Sequence, residues 1–430
     1  MKIFLIVLGV SFTGLGYAGG FDINNIWSAK YSAVGGAAAS NVEGAQSIYF
    51  NPAGLSKSHA LELDLNYVSA MVTKSAPLKP EGADPTKGDT PKRMPYTYLP
   101  LGGFFAAHQV NQRLGIGGGA YIAGGTGGSY DDVDFGSSFP TLRPDIDSTI
   151  FIVEFALGAG YEILPGLSIG AAWRPNFVRL DSQVAIPSDD ILLAPELNHA
   201  SDFILGGYRL GIQYSPNDSR WGVGAAFRSE NSFEAKGKSS GKSQLAGDST
   251  ISSIQGGDVT AKAKIPMQYS LGVHFDSSQK LRFMTQYDFI RSSRVKQLTL
   301  SGDDIGVTGV GDIPISSFSS PLEWKDQHSY RFGVQYLLTE IWTVRGGYVF
   351  SSQVTPDDRA SSTATSPGNE QSFIVGAGRE IRVFSKLIQM DLATEYGQAY
   401  GQGKNSKAGS LDGQYSEQVF GLYTGFSYRI

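Results

Sequence analysis

Cysteine is absent from the 430-residue chain, and only 17% of its residues are charged, against roughly 25% in an ordinary soluble domain. The first absence excludes disulfide staples and thiolate-bound metal. A net charge of -5 argues against nucleic acid as a partner, because no basic stripe is present to displace phosphate counterions. Beyond the first residues, no apolar run approaches the ~18 residues that a membrane helix needs. Catalytic signals are scarce as well. The five histidines, His59, His108, His199, His274 and His328, belong to no HExxH or comparable constellation. The glycine runs carry no P-loop lysine. Neither an enzyme nor a bound cofactor is expected. The acidic stretch SYDDVDFGSS (129–138) lacks the spacing and closing glutamate of a calcium loop and reads as a solvated connection, so no metal is expected.

Glycine and aromatics are abundant instead, with 54 Gly and 12% Phe, Trp and Tyr. Met1 and Lys2, the apolar residues 3–10 and the small-x-small triplet Gly16, Tyr17, Ala18 predict a secretory signal peptide (1–18), cleaved after Ala18. Residues 19–60 are rich in small side chains, as in AVGGAAAS (33–40), and keep no period of two. From Leu61 the pattern changes. LELDLNYVSAMV sets Leu61, Leu63, Leu65, Tyr67 and Met71 against Glu62, Asp64 and Asn66, the strict alternation of a half-buried strand.

Fourteen such segments are predicted, at 61–72, 99–109, 114–123, 149–163, 167–182, 202–214, 219–235, 258–275, 281–299, 324–338, 341–353, 371–383, 386–400 and 414–430. Connections after even-numbered strands are short and those after odd-numbered strands are long. That asymmetry is the mark of an antiparallel outer-membrane β-barrel, here an all-β membrane protein with its barrel at 61–430. Trp173, Trp221, Trp342, Tyr214 and Tyr348 fall at strand ends, as an interfacial girdle requires.

Facing Arg or Lys to lipid at the bilayer midplane costs about 2–4 kcal/mol, so parity sorts the side chains. It predicts that Lys262, Lys264, Gln268 and His274 of the eighth strand face the lumen. The same test turns Glu154, Arg174, Arg228, Arg331 and Arg345 inward. The fourth strand's inward row, from Ile150 to Gly160, is apolar and small apart from Glu154. Such a wall would hold a lipid tail at ~0.8 kcal/mol per buried CH₂, and an aqueous channel would gain nothing from it.

Two features stand out. The third strand, LGIGGGAYIAGG (114–125), is crowded with glycine, which marks either a weakened, openable wall or close packing against a plug. SDDILLAPELNHAS (188–201) places Ile191, Leu192, Leu193, Pro195 and Leu197 in a predicted loop that should face water, as a binding surface or as a short helix folded onto the barrel mouth.

The start GGFDIN (19–24), the small residues Gly35, Gly36 and Ala37, the Asn51-Pro52-Ala53 motif in IYFNPAGL and the stretch AKIPMQYSLGV (263–273), in this order, resemble the FadL family of outer-membrane transporters for long-chain fatty acids and other hydrophobic compounds. The resemblance spans the chain. It implies a 14-stranded barrel closed by an N-terminal hatch (19–60) that bears Asn51, Pro52 and Ala53. It also implies ligand capture at Ile191, Leu192, Leu193 and Leu197, a lumenal pocket near Gly19, Gly20 and Phe21, and a lateral gate at Gly117, Gly118 and Gly119.

The expected protein is thus a passive outer-membrane transporter acting as a monomer, with fatty acids the leading ligand and aromatic hydrocarbons the alternative. Arg174, Arg228 or Lys264 would hold a ligand carboxylate. Outer-membrane lipid and lipopolysaccharide are its expected surroundings. A structural or adhesive barrel with a permanently sealed lumen is the competing reading. The polar loop GKSSGKSQLAGDST (237–250) departs from the family's apolar groove.

Overall fold

In a computed structural model, which describes residues 28–78, 92–216, 220–363, 365, 367–383, 386–407 and 411–430, the alternation of the first strand becomes a two-faced wall. Along β1 (Glu62–Ala76), Glu62, Asp64 and Asn66 are buried while Leu65, Tyr67 and Met71 are exposed on the outer surface. Thirteen further strands follow. They are β2 (Thr97–Gln109), β3 (Leu114–Tyr130), β4 (Ile146–Leu164), β5 (Leu167–Trp173, then Asn176–Gln183), β6 (Ile191–Ile204, then Tyr208–Tyr214) and β7 (Trp221–Arg228, then Asn231–Leu245). Next come β8 (Asp258–Ile265, then Gln268–Asp276), β9 (Leu281–Ile290, then Gln297–Gly302), β10 (Gln327–Leu337), β11 (Trp342–Ser351), β12 (Asn369–Val383), β13 (Lys386–Gly403) and β14 (Gly413–Arg429). Each pairs antiparallel with its neighbours, and β14 returns to β1 from Glu62↔Arg429 to Ser75↔Ser416, closing the barrel. The predicted signal peptide and Gly19, Gly20 and Phe21 lie outside the described residues.

The outer surface carries an apolar belt, including Leu157, Leu210, Leu271, Phe332, Val375 and Phe426. A chain of rings, Tyr208, Phe227, Tyr269, Phe289 and His328, runs round its upper edge with centroids 4.9–6.3 Å apart. Directly above these rings β5 to β9 are interrupted, at Arg174 and Pro175, at 205–207, at Ser229 and Glu230, at Pro266 and Met267, and at 291–296. Prolines explain two of the breaks, since Pro175 and Pro266 cannot donate to the ladder.

The break at Pro266 changes which parity faces in. Below it Tyr269, Leu271, Val273 and Phe275 are exposed and His274 is buried. Above it Val259, Ala261, Ala263 and Ile265 are buried, whereas Lys262 is exposed and Lys264 partly so. Gln268 and His274 therefore face the lumen as expected, but Lys262 and Lys264 do not. The parity argument assumed one unbroken strand. In the structure the upper half stands above the apolar belt, where outward lysines meet water and headgroups instead of hydrocarbon.

The region 188–201 also differs from expectation. Ile191, Leu192, Leu193 and Leu197 belong to the upper half of β6 and pair with β7 from Leu245↔Ile191 to Lys238↔Asn198. All four are buried. Leu192 packs with Phe139 and Leu142 of the connection between β3 and β4, which folds back over the wall. An extended strand buries both of its faces here, so its continuous apolar run resembles a loop cluster in sequence.

The side switch is testable by unfolding the lipid-reconstituted barrel in urea. Leu271→Arg should cost about 2–4 kcal/mol, while Lys262→Leu, which removes a solvent-exposed pair with Glu234, should cost less than about 1 kcal/mol. A large loss for Lys262→Leu would place that side chain in the lumen after all.

Candidate functional site in the barrel lumen

Residues 28–58 form a plug of short turns inside the barrel. Ser28 caps a first helical turn, α1 (Ala29–Ser32), through Ser28 Oγ, which accepts from Tyr31 N at 3.1 Å. A second turn, α2 (Ser47–Phe50), runs into Asn51, and a 3-10 helix covers Pro52–Lys57. Asn51 caps that helix. Its Oδ1 accepts from Ala53 N at 3.1 Å, and Pro52 takes the first helical position, where a missing N–H costs nothing.

The amide of Asn51 also fastens the plug to the wall. Its Nδ2 donates to Ala39 O (2.7 Å), to Ile212 O of β6 (3.0 Å) and to Ala225 O of β7 (3.2 Å). Such closeness requires a wall without side chains, and Gly211 of β6 supplies it: a Cβ there would lie 1.9 Å from Asn51 Oδ1. Inward polar residues complete the seal. Gln286 Oε1 accepts from Ala38 N and Ala39 N (3.0 and 2.9 Å), Gln213 Nε2 donates to Val42 O (3.1 Å), Arg331 Nη1 donates to Gly35 O (2.9 Å), and Glu62 Oε2 accepts from Ala45 N (2.8 Å). These lumenal side chains thus satisfy the plug's backbone, as a buried loop demands.

The predicted carboxylate holders separate into three situations. Arg174 is buried and ion-paired with Glu154, which also accepts from Tyr121 Oη and lies 3.4 Å from Arg209 Nη1. Arg228 is buried and faces a lumenal cavity of about 450 Å³, mouth included, beside the plug, together with Tyr49, Phe50, Arg209, Asp288 and Arg331. Lys264 points outward and binds Glu230 at 2.8 Å. Only Arg228 of the three lines the cavity.

A second cavity, enclosing about 950 Å³ with its mouth included, lies nearer the long-loop end. Ile150, Leu197, Val259, Leu300, Phe318 and Trp324 are among its lining residues, and among the described residues Glu196 is its one charged lining side chain. Of the four predicted capture residues only Leu197 reaches it. Sequence reasoning missed the contribution of the β9–β10 connection, where Ile315, Phe318, Leu322 and Trp324 lie scattered among serines and acidic residues without periodicity.

The wall at Gly117, Gly118 and Gly119 is intact on both sides. These residues pair with Ala107, Ala106 and Phe105 of β2 and with Gly158, Leu157 and Ala156 of β4. Their small size admits neighbours: a Cβ on Gly117 would lie 2.7 Å from Leu55 of the plug, and one on Gly119 would lie 2.7 Å from the Phe105 ring. Gly117 packs against the plug, and the ladder is closed on both sides of all three glycines. The ladder parts higher up. Among the described residues the last β2–β3 pair is Gly103↔Tyr121, although β2 continues to Thr97 and β3 to Tyr130. The stretch of β2 from Thr97 to Gly102 keeps its pairing with β1 but has no partner on the β3 side, over about 20 Å. Above Tyr121 the β3–β4 register slips between Ile122 and Gly124, and β3 is buried on both faces. Met94 and Lys92 cross it, Met94 Sδ receiving Ser129 N at 3.2 Å and Lys92 Nζ donating to Asp132 O at 3.1 Å.

The family model for outer membrane protein transport proteins (OMPP1/FadL/TodX) matches residues 9–430. Three solved structures are similar in fold. The Pseudomonas putida toluene transporter TodX is 15% identical, with 95% of this chain and 99% of that one covered and a TM-score of 0.75. A Pseudomonas aeruginosa FadL homologue is 15% identical over the same shares, with a TM-score of 0.70. The Ralstonia pickettii toluene transporter TbuX is 16% identical, again over 95% and 99%, with a TM-score of 0.67. No curated protein matches the chain in sequence.

Asn51→Ala removes an amide whose two N–H groups are shared among three carbonyls, at about 1 kcal/mol for each bond lost, and Gly211→Val forces the same side chain away. Both variants should retain the heat-modifiable gel mobility of an assembled barrel and show raised ionic conductance in planar bilayers. Unchanged conductance would show that the seal does not depend on Asn51, and failure to assemble would make the motif a folding element.

Proposed function

Because the chain belongs to the OMPP1/FadL/TodX family of outer-membrane transport proteins, whose members carry hydrophobic compounds, we propose that its own cargo is a neutral hydrophobic molecule such as a monoaromatic hydrocarbon. The observation that carries this reading is the lining of the outer cavity: apolar side chains with serine and threonine, and Glu196 as the only charge among the described residues. A carboxylate entering there would meet no cation and would be repelled by Glu196. A neutral ring gains about 25 cal/mol for each Å² of apolar surface it buries and loses no ionic hydration. TodX and TbuX, which share the fold, are toluene transporters.

The passage is passive. A compound partitions into the outer cavity, moves past Leu197 and Ile150 toward the plug, and leaves sideways through the β2–β3 seam. Straight passage is opposed by the hydrogen-bonded plug, whereas the seam has no ladder to break. The lumenal cavity at Arg228 supports the fatty acid alternative, since a guanidinium can bind a carboxylate in two places. That cavity already holds Asp288, bonded to Arg331, which reduces its appetite for a second anion.

Uptake of radiolabelled toluene and of a long-chain fatty acid by cells lacking other family members would separate the two. The expected result is rapid toluene uptake that falls at least fivefold in Leu300→Asp, with little fatty acid uptake. Efficient fatty acid uptake that is abolished in Arg228→Gln would favour the fatty acid reading instead.

A further inference from the structure

Above the aromatic rings the outer wall carries a groove that the transport path does not use. The β8–β9 ladder runs from Asp276↔Arg282 to Gln268↔Ile290, stops, and resumes only at Lys262↔Thr299. Chain 291–296 bows away from β8 in between, leaving an open recess of about 1210 Å³, mouth included. Lys262, Lys264, Arg291, Arg294 and Lys296 line it. Glu234 pairs with Lys262 at 3.1 Å, and Glu230 accepts from Lys264 at 2.8 Å and from Arg294 at 3.1 Å. Asp326 touches the edge through Ser293 N at 2.9 Å, and Asp202 through Glu234 N at 2.8 Å. Five cations against four carboxylates leave an excess of one positive charge, with Arg291 and Lys296 in none of these ion pairs, on a chain whose net charge is -5.

The same strands carry a second recess just below, within the apolar belt. It encloses about 870 Å³ with its mouth and is lined by Leu210, Ile212, Phe227, Tyr269, Leu271 and Tyr287, among others. Along β8 the order is Leu271, Tyr269, the Pro266 break, Lys264 and Lys262. Along β7 it is Ala225, Phe227, the break at Ser229, then Ser232. An apolar trough thus leads upward through an aromatic edge into a basic trough. The basic part lies toward the long loops, which face outward in outer-membrane barrels.

We propose that this pair of recesses is a binding site for one lipid of the outer leaflet, a phosphorylated lipid A, its acyl chains in the lower trough and a phosphate among Lys262, Lys264 and Arg294. The charge sign, the depth at which it changes and the apolar groove beneath it fit an amphiphile with an anionic head at this level. Lysine and arginine supply between them the point charge and the forked donors that phosphate oxygens accept. Glu230 brings Lys264 and Arg294 together on one carboxylate. The proposal concerns the lipid-facing surface and is independent of which cargo the lumen carries.

The test uses the full barrel, stripped of bound lipid and reconstituted in phosphatidylcholine nanodiscs, with lipid occupancy read by native mass spectrometry. Bisphosphorylated lipid A should bind the wild type at least about 10-fold more tightly than it binds Lys262→Gln/Lys264→Gln/Arg294→Gln. Lipid A freed of both phosphates should lose the same preference, and Lys262→Arg/Lys264→Arg should retain it. Equal binding by the neutralised variant, or by the dephosphorylated lipid, would overturn the proposal. Phosphatidylglycerol binding as tightly as lipid A would overturn the assignment to lipid A.

Discussion

Inside hydrocarbon a backbone N–H or C=O has no water to bond, and every such group in this chain has to find a partner within the protein. That constraint closes the barrel: β14 comes round to β1 over a long uninterrupted ladder. It also limits where the wall can be broken. The interruptions of β5 to β9 lie above the aromatic rings, beyond the apolar belt. The parting between β2 and β3 begins at the register level of the β5 break, where β3 keeps β4 as a partner and is covered on both faces.

The same requirement governs the interior. A plug of short turns carries many backbone groups that no helix or sheet satisfies, and the wall answers them with Asn66, Gln213, Gln286, Arg331 and Glu62. Asn51 works in the opposite direction, donating from the plug to carbonyls of β6 and β7. Buried charges are then paired among themselves, as in Glu154 with Arg174 and Arg209, or Arg345 with Asp391 at 2.7 Å. Removing one member of such a pair would strand the other, at a cost of about 3–5 kcal/mol. What remains for a ligand is the space that the plug and its partners leave: an apolar cavity toward the outside, a smaller arginine-lined one beside the plug, and a seam in the wall.

Much of this was legible in the amino-acid sequence because a barrel strand repeats every two residues and lipid penalises a wrong choice of face. The parity of Glu62, Asp64 and Asn66 against Leu65, Tyr67 and Met71 is that of the structure, as is the inward direction of Glu154, Arg174, Arg228, Arg331 and Arg345. Parity misleads where the strand breaks or leaves the bilayer. Lys264 lies above the membrane, where lipid no longer penalises charge, and beyond Pro266, where the strand changes side. Leu192 lies in a strand covered on both faces, so that alternation vanishes. The seam escaped notice because pairing between strands is a property of two segments. Gly117 to Gly119 signal close packing in either case, and only the partner strand shows that their ladder holds while the ladder above Tyr121 does not.

The central claim is that cargo leaves the sealed barrel through the seam between β2 and β3, and a chain without native cysteine allows that seam to be closed selectively. In the double variant Leu101→Cys/Ala123→Cys, at positions that would face each other if the ladder continued beyond Gly103↔Tyr121, a short bismaleimide should bridge the two strands. The account predicts that toluene uptake by cells carrying this variant falls to the level of cells lacking the protein once the bridge forms, while either single cysteine treated alike transports normally. Undiminished uptake through the bridged barrel would contradict it and would direct the search for an exit to the plug.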